Sequence, residues 1–355
     1  MSCFSDALNA CPNLQSYLSN YFSSCNAGMI REEFPYAEFI ASEANNMGLR
    51  QVVSPGNGKV RKVDLLYTKR IPESSVAENQ ANPNCVATTK RGDCLQTYDI
   101  DTTQNQQVEQ LIEASDLERN CQSNPEYFQL QVAYLMDALE RKLATQITDD
   151  SAGLTGNWAT DVAGVNASNQ LVVKTLKDGT TQELDPFTMQ IINRSLRKTG
   201  YCTSFGVFGG DTLTNYFERV QSGCCAQQGV DLGDLFSRFG FAVAYDRRVV
   251  NAFGGTQNNN IVVQLGAIAL LWYTRSPWKD GAPAYIASAG NYFSTTLVTP
   301  RLGIPVDLNV KDDCGSVSIT LTGTVKPVGM PGDMFPAADQ YAGMVFANEI
   351  LVTNV

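Results

Sequence analysis

Residues 124–147 read Asn124-Pro125-Glu126-Tyr127-Phe128-Gln129-Leu130-Gln131-Val132-Ala133-Tyr134-Leu135-Met136-Asp137-Ala138-Leu139-Glu140-Arg141-Lys142-Leu143-Ala144-Thr145-Gln146-Ile147, and this stretch decides how the rest of the chain is read. Its first three residues are a helix start. An Asn side chain accepts amide protons as N-cap, Pro is tolerated at the first helical position, and Glu favours the positive end of the helix dipole. Phe128, Val132, Leu135, Leu139, Leu143 and Ile147 then recur every three or four residues and form one apolar stripe. The spacing predicts a helix over 125–147. At 1.5 Å per residue it would be about 35 Å long, which is long for a globular domain.

Upstream, residues 1–33 hold scattered aromatics (Phe4, Tyr17, Tyr21, Phe22) and three cysteines, with a short helical pattern over 14–22. They read as an extended arm that needs a partner surface. Phe34, Ala37, Ile40, Ala41 and Ala44 recur at helical spacing up to Met47, and Gly48 supplies a stop. Residues 60–71 are rich in β-branched and aromatic side chains and follow the turn signal Ser54-Pro55-Gly56-Asn57-Gly58. Residues 94–100 are a second extended piece, and the polar segment 73–92 between them suggests a hairpin projecting from the body. A shorter helix is expected at 107–117.

Downstream of Thr148 the composition shifts to Gly, Asn, Thr and Asp, which marks a boundary. A hairpin is expected over 171–184 with its turn at Lys177-Asp178-Gly179, then helices at 186–199, 211–221 and 232–239. Residues 241–250 and 261–273 read as buried strands, and 306–310, 316–325 and 344–352 as further strands punctuated by Pro and Gly. The fold class is α+β.

The chain has 355 residues, room for two compact units or one elaborated unit. It contains no histidine, so Ser-His-Asp and Cys-His catalysis, HExxH zinc sites and a neutral-pH imidazole base are excluded. Charged residues are 17%, below the roughly 25% of an average domain, so polarity comes mainly from Asn, Gln, Ser and Thr. A net charge of −10 argues against a general nucleic-acid binder, which places Lys and Arg along phosphates. The first residues lack the basic and apolar regions of a signal peptide, so export is not expected. The longest apolar run, 261–273, contains Gln264 and is shorter than the roughly 18 residues a membrane helix needs. No membrane association is expected.

Motifs that could carry chemistry read more simply as structure. Gly56-Asn57-Gly58-Lys59-Val60 lacks the first Gly and the hydroxyl of a phosphate loop. Phe205-Gly206-Val207-Phe208-Gly209-Gly210-Asp211 is not a dinucleotide fingerprint and reads as a tight turn before a capped helix. The acidic pairs Asp99/Asp101, Asp149/Asp150 and Asp312/Asp313 fall at element ends, where Asp caps helices and turns. The ten cysteines, including adjacent Cys224-Cys225, contain no CxxC and read as reduced thiols. No catalytic, cofactor-binding or metal-binding residue is therefore assigned, and no cofactor is expected. Charge is distributed unevenly. Residues 59–70 carry Lys59, Arg61, Lys62, Lys69 and Arg70 against Asp64, a net of +4, while residues 72–150 carry fourteen acidic and five basic side chains, a net of −9. Either these are solvated faces, or a basic hairpin docks on an acidic surface of another subunit.

The order of arm, projecting hairpin, long helix, mixed insert and returning strands resembles the major capsid protein of tailed bacteriophages, the Hong Kong 97-type capsid fold. The passage Phe239-Gly240-Phe241-Ala242-Val243-Ala244-Tyr245-Asp246-Arg247-Arg248, closing the segment 212–248, looks like the helix-then-strand passage of that family's axial domain. The resemblance implies an N-terminal arm and first helix at 1–48, an extended loop hairpin at 49–103 and a peripheral domain with its spine helix at 104–160. An axial domain at 161–299 and C-terminal strands returning to the peripheral domain at 300–355 complete it. It also implies self-assembly into hexamers and pentamers of an icosahedral shell that encloses double-stranded DNA without binding it specifically. Portal, scaffold and decoration proteins would be further partners, and the location would be the virion, assembled in host cytoplasm. Arg61, Lys62, Lys69 and Arg70 become the candidates for contact between subunits. Some members of the family cross-link a loop lysine to a neighbour's asparagine, and Lys69 and Lys90 lie in the matching segment. Two other readings are a different phage or surface-layer structural subunit and a histidine-free enzyme using carboxylate, Cys or Lys chemistry.

Overall fold

The computed structural model describes residues 13–23, 32–46, 50–52, 60–68, 93–101, 105–113, 115–116, 124–154, 171–174, 205–211, 214, 241–255, 257, 259–264, 268–274, 278–279, 282–283, 286–288, 292–312, 316–329 and 345–353. The chain divides into two compact units, each assembled from non-contiguous segments. One comprises Met1–Arg61, Asp99–Ile147 and Leu270–Pro327, and the other Lys62–Tyr98, Thr148–Ala269 and Val328–Val355.

The first unit is built on a seven-stranded sheet. Its strands are β1 (Arg50–Val52), β4 (Gln106–Glu113), β9 (Ile268–Tyr273), β12 (Ile286–Ser288), β13 (Tyr292–Val298), β14 (Pro305–Asp312) and β15 (Ser316–Gly329), in the order β1-β9-β15-β14-β13-β12 with β4 also paired to β15. Strands β13, β14 and β15 form an antiparallel meander whose register stacks Phe293, Val310 and Ile319 on one face. The long helix α3 (Asn124–Ala152) lies against that face, with α1 (Leu14–Ser23) and α2 (Pro35–Asn46) preceding it in the chain. Contact is closest at Gly323, where an added Cβ would stand 3.1 Å from both Leu143 Cδ1 and Val306 Cγ1. Glycine lets the helix ride directly on the strand. Gln146 Nε2 donates to the Val325 carbonyl at 2.9 Å and fixes the same contact from its polar side. The α3 stripe is broader than its sequence spacing shows, because Ala133, Met136, Glu140 and Ala144 are buried beside it. The helix also runs past the expected end to Ala152, with Asp149 and Asp150 on its exposed side.

The second unit carries a five-stranded sheet in the order β5 (Leu171–Lys174), β16 (Val345–Thr353), β8 (Asn259–Gln264), β6 (Phe205–Gly209) and β7 (Phe241–Tyr245). Gly209 and Gly210 are required where β6 meets β8, since a Cβ on either would collide with the main chain of Asn259 or Gln257. The expected strand at 241–250 breaks after five residues. Asp246 caps the short helix α4 (Arg247–Ala252), its Oδ1 accepting from Arg248 N at 2.9 Å. The expected strand at 261–273 is two strands in different sheets, β8 and β9, on either side of Gly266. The expected helix at 107–117 is instead the strand β4. Its inward and outward residues alternate, Ile112 buried and Leu111 exposed, and it is paired over eight residues with β15. A two-stranded sheet of β2 (Val60–Thr68) and β3 (Asp93–Asp101) matches the expected hairpin strands, and β10 (Trp278–Lys279) with β11 (Ala282–Pro283) makes a smaller pair. The expected helices at 186–199 and 232–239, most of that at 211–221, the turns at 54–58 and 177–179 and the polar segment 73–92 lie outside the described residues.

Arg301 ties the first unit together. It sits in the turn between β13 and β14, which Thr299 closes by accepting from Gly303 N and Ile304 N while Gly303 adopts φ +60°. Its Nε donates to Glu140 Oε2 at 2.8 Å and its Nη2 to Asp137 Oδ1 at 2.6 Å, both on α3. Glu140, fully buried, also accepts at Oε1 from the main-chain N–H groups of Arg301 (2.8 Å) and Leu302 (3.3 Å). The remaining guanidinium nitrogen, Nη1, donates to the Glu32 carbonyl at 2.9 Å just before α2. The planar group lies over the rings of Phe34 (4.4 Å) and Phe22 (5.2 Å), adding cation–π attraction from both arm segments. One side chain thus joins α1, the entry to α2, the long helix and the sheet turn.

Breaking a buried ion pair from one side strands the other charge and costs about 3–5 kcal/mol. Arg301→Met should therefore lower the unfolding free energy by about that amount in urea. Adding Glu140→Gln, which keeps an oxygen for the two amides while removing the charge, should recover part of the loss; a double variant as unstable as the single would show that the Arg301 charge is not what Glu140 requires.

Candidate assembly surface

Helix α1 buries Leu14, Leu18 and Phe22 along one stripe and exposes Ser16, Ser19, Asn20 and Ser23. Ten residues make too short a helix to persist alone in water, so its seat is tertiary. The Gln15 side-chain amide completes the end of β13, donating to the Val298 carbonyl and accepting from its N–H, both at 3.0 Å. Beside it, Tyr17 and Tyr21 stack one turn apart with centroids 5.8 Å apart. Burial, then the neighbouring Tyr134 phenol and its hydrogen bond, push the Tyr21 phenol up to about 12. Tyr17 is raised by burial, then by Tyr134 and Glu126. These phenols stay neutral through the physiological range. Tyr134 on α3 is 47% exposed, so the junction of arm and long helix presents an exposed aromatic ring.

Strand β4 presents a different surface. One side is fixed, with Gln110 Nε2 donating to Gln131 Oε1 on α3 at 2.6 Å. On the other, Leu111 is 51% exposed between the exposed side chains of Glu109 and Glu113. Ser318 Oγ donates to Glu109 Oε1 at 3.0 Å, and Asp116 Oδ2 accepts from Glu113 N at 3.1 Å, which closes the end of the strand. Among the described residues β15 is the one strand that pairs with β4.

Of the four candidate contact residues, Arg61 and Lys62 fall on β2, while Lys69 and Arg70 lie outside the described residues, as does Lys90. Asp99 and Asp101 fall on β3, Asp312 ends β14, and Cys224-Cys225 and Gly56-Asn57-Gly58-Lys59 lie outside the described residues. No described group of three or more acidic or cysteine side chains is placed to hold a metal ion, and no described helix is long and apolar enough to cross a membrane. Sequence reasoning missed Arg301 and the β4 edge. The available signals were two acids three residues apart beside a buried stripe, Asp137 and Glu140, and the alternation of Val108, Gln110 and Ile112.

No protein-family model matches the chain, and no curated protein matches it in sequence. Solved structures do. A chain of the cyanophage A-1(L) capsid asymmetric unit superposes with a TM-score of 0.53 at 12% identity, covering 91% of this chain and 94% of that one. Chains from the capsid of Ralstonia phage GP4 (TM-score 0.45, 9% identity, 92% and 93% covered) and from Mycobacterium phage Adephagia (0.43, 12%, 92% and 97%) are also similar. The cyanophage match runs through nearly the whole of both chains, and its topology is shared at an identity that sequence alone does not reveal. The chain has the fold of a phage capsid protein.

Proposed function

We propose that this protein is a major capsid protein of a tailed bacteriophage, whose copies form the hexamers and pentamers of an icosahedral shell around packaged double-stranded DNA. The observation that carries the reading is the capsid-protein fold extending over 91% of the chain. The sequence supports it independently: no histidine for the common hydrolytic mechanisms, few charges for the length, and a short arm helix that needs a surface to order it. In this reading residues 1–48 are the arm and first helix, 49–103 the extended loop and 104–160 the peripheral domain. Residues 161–299 are the axial domain and 300–355 the returning strands. The protein acts by association rather than chemistry, and its location is the virion.

The DNA is enclosed without specific contact, which a net charge of −10 allows, since a wall needs no affinity for its contents. Portal, scaffold and decoration proteins are the further partners this role entails. Closed point-group assembly from one chain asks the same surfaces to serve slightly different contacts, and extended elements such as β2 and β3 supply that tolerance.

Purified protein, alone or co-expressed with its phage neighbours, should form closed shells in negative-stain electron microscopy; a monomer by light scattering at high concentration in both cases would refute the reading. The basic segment around β2 is proposed to serve contacts between copies. Replacing Arg61, Lys62 and Lys69 with Glu should leave the melting of the monomer unchanged, because exposed charges contribute only about 0–1 kcal/mol each to folding. Particle yield should fall and become more sensitive to salt. Normal assembly of that variant would remove the contact role, and failure to fold would place the segment in the core.

A further inference from the structure

The last residue of β13 is held in a way its own sheet does not require. Val298 stands opposite Pro305 of β14, which has no N–H to give, so this rung is one whose main-chain groups point away from β14. Rungs alternate along an antiparallel pair, and Tyr292, Ser294, Thr296 and Val298 therefore turn their N–H and C=O groups to the outer edge. Among the described residues, β12 takes up that edge as far as Ser294 and no strand continues it. At Val298 the Gln15 side chain stands in for a strand: its Oε1 accepts from the Val298 N–H and its Nε2 donates to the Val298 carbonyl, both at 3.0 Å.

The strand so covered is one that invites pairing. β13 is seven residues long, rich in aromatic and β-branched side chains, with neither a charge nor a proline to discourage a second strand. An identical strand from another copy is its natural complement, because two copies of one uncharged edge meet antiparallel about a two-fold axis with nothing to repel them. Helix α1, which lays Gln15 on this edge, also carries no charge and is seated by Leu14, Leu18 and Phe22, with the Arg301 guanidinium 5.2 Å from the Phe22 ring.

We infer that α1 is a guard over the outer edge of β13, and that Gln15, by occupying both main-chain groups of Val298, keeps β13 from pairing with β13 of a second copy of this chain. The contact is autoinhibitory. It blocks a strand-to-strand joining of copies that leads to irregular aggregates, and it does so whether or not the chain goes on to build a shell.

Unseating the helix in the full-length protein tests this. Gln15→Ala/Leu18→Ala removes both hydrogen bonds and the central apolar anchor of α1. The fraction of protein in irregular aggregates, read by sedimentation and electron microscopy, should rise about tenfold, the factor that 1.4 kcal/mol represents. Adding Val298→Pro removes the outward N–H without costing a bond to β14 and should return that fraction to the level of the unaltered chain. Should the proline lower melting further, Val298→Lys takes its place, since like charges brought face to face oppose the same pairing. Val306→Ala weakens the body beside Gly323 and leaves α1 seated, so it should not raise aggregation. An unseated variant as dispersed as the unaltered chain would overturn the guard. So would aggregation that neither Val298 variant relieves, or aggregation of Val306→Ala to the same extent, which would tie the effect to lost stability instead of the β13 edge.

Discussion

A guanidinium buried among two carboxylates, a carbonyl and two aromatic rings is the constraint from which the first unit's arrangement follows. Glu140 is wholly buried on a helix that otherwise presents aliphatic side chains to the sheet, and such a carboxylate is tolerable only if every lone pair it can offer is met. Arg301 meets it with its side chain and its own main-chain N–H, and the next residue adds a third donor. The geometry can be satisfied only when the β13–β14 turn, the long helix and the arm residues Phe22, Glu32 and Phe34 are all in place. A hydrophobic contact would hold these parts together without specifying their positions as closely.

The consequence is a division of labour within the chain. Helix α3 and the β13–β15 meander form a body held by apolar packing at Gly323 and by the Arg301 cluster. Outside that packing Leu111 on β4 and Tyr134 on α3 keep exposed side chains. In the proposed role of a shell subunit, the fixed body would set the geometry and the exposed side chains would be available to neighbouring copies.

Much of this was legible in the sequence, and the exceptions have physical causes. The long helix was readable because Asn124-Pro125-Glu126 and the six-residue stripe agree at the local and the tertiary level. Residues 106–113 misled because Val108, Leu111 and Ile112 stand at spacings of three and four as well as in an alternating strand. The open edge of β15 supplied main-chain partners that a local pattern cannot foresee. At 241–250 the aliphatic pair Val249-Val250 continued an apolar run across Asp246, hiding a helix cap inside what looked like one strand. At 261–273 two strands of similar composition lie in different sheets, and composition does not say which partner a strand will take. The Arg301 cluster draws on residues 22, 32, 34, 137, 140 and 301, so only the fold could assemble it.

Hydrogen exchange compared between soluble subunit and assembled particle probes this division most directly. Amides of α3, β13 and β14 and the turn at Arg301 should be protected to a similar degree in both states, while those of β2 should exchange fast in the subunit and become protected only in the particle. If β2 were already fully protected in the isolated subunit, or if the body around Arg301 became ordered only on assembly, the account of a preformed body that meets its neighbours through the extended hairpin would be contradicted.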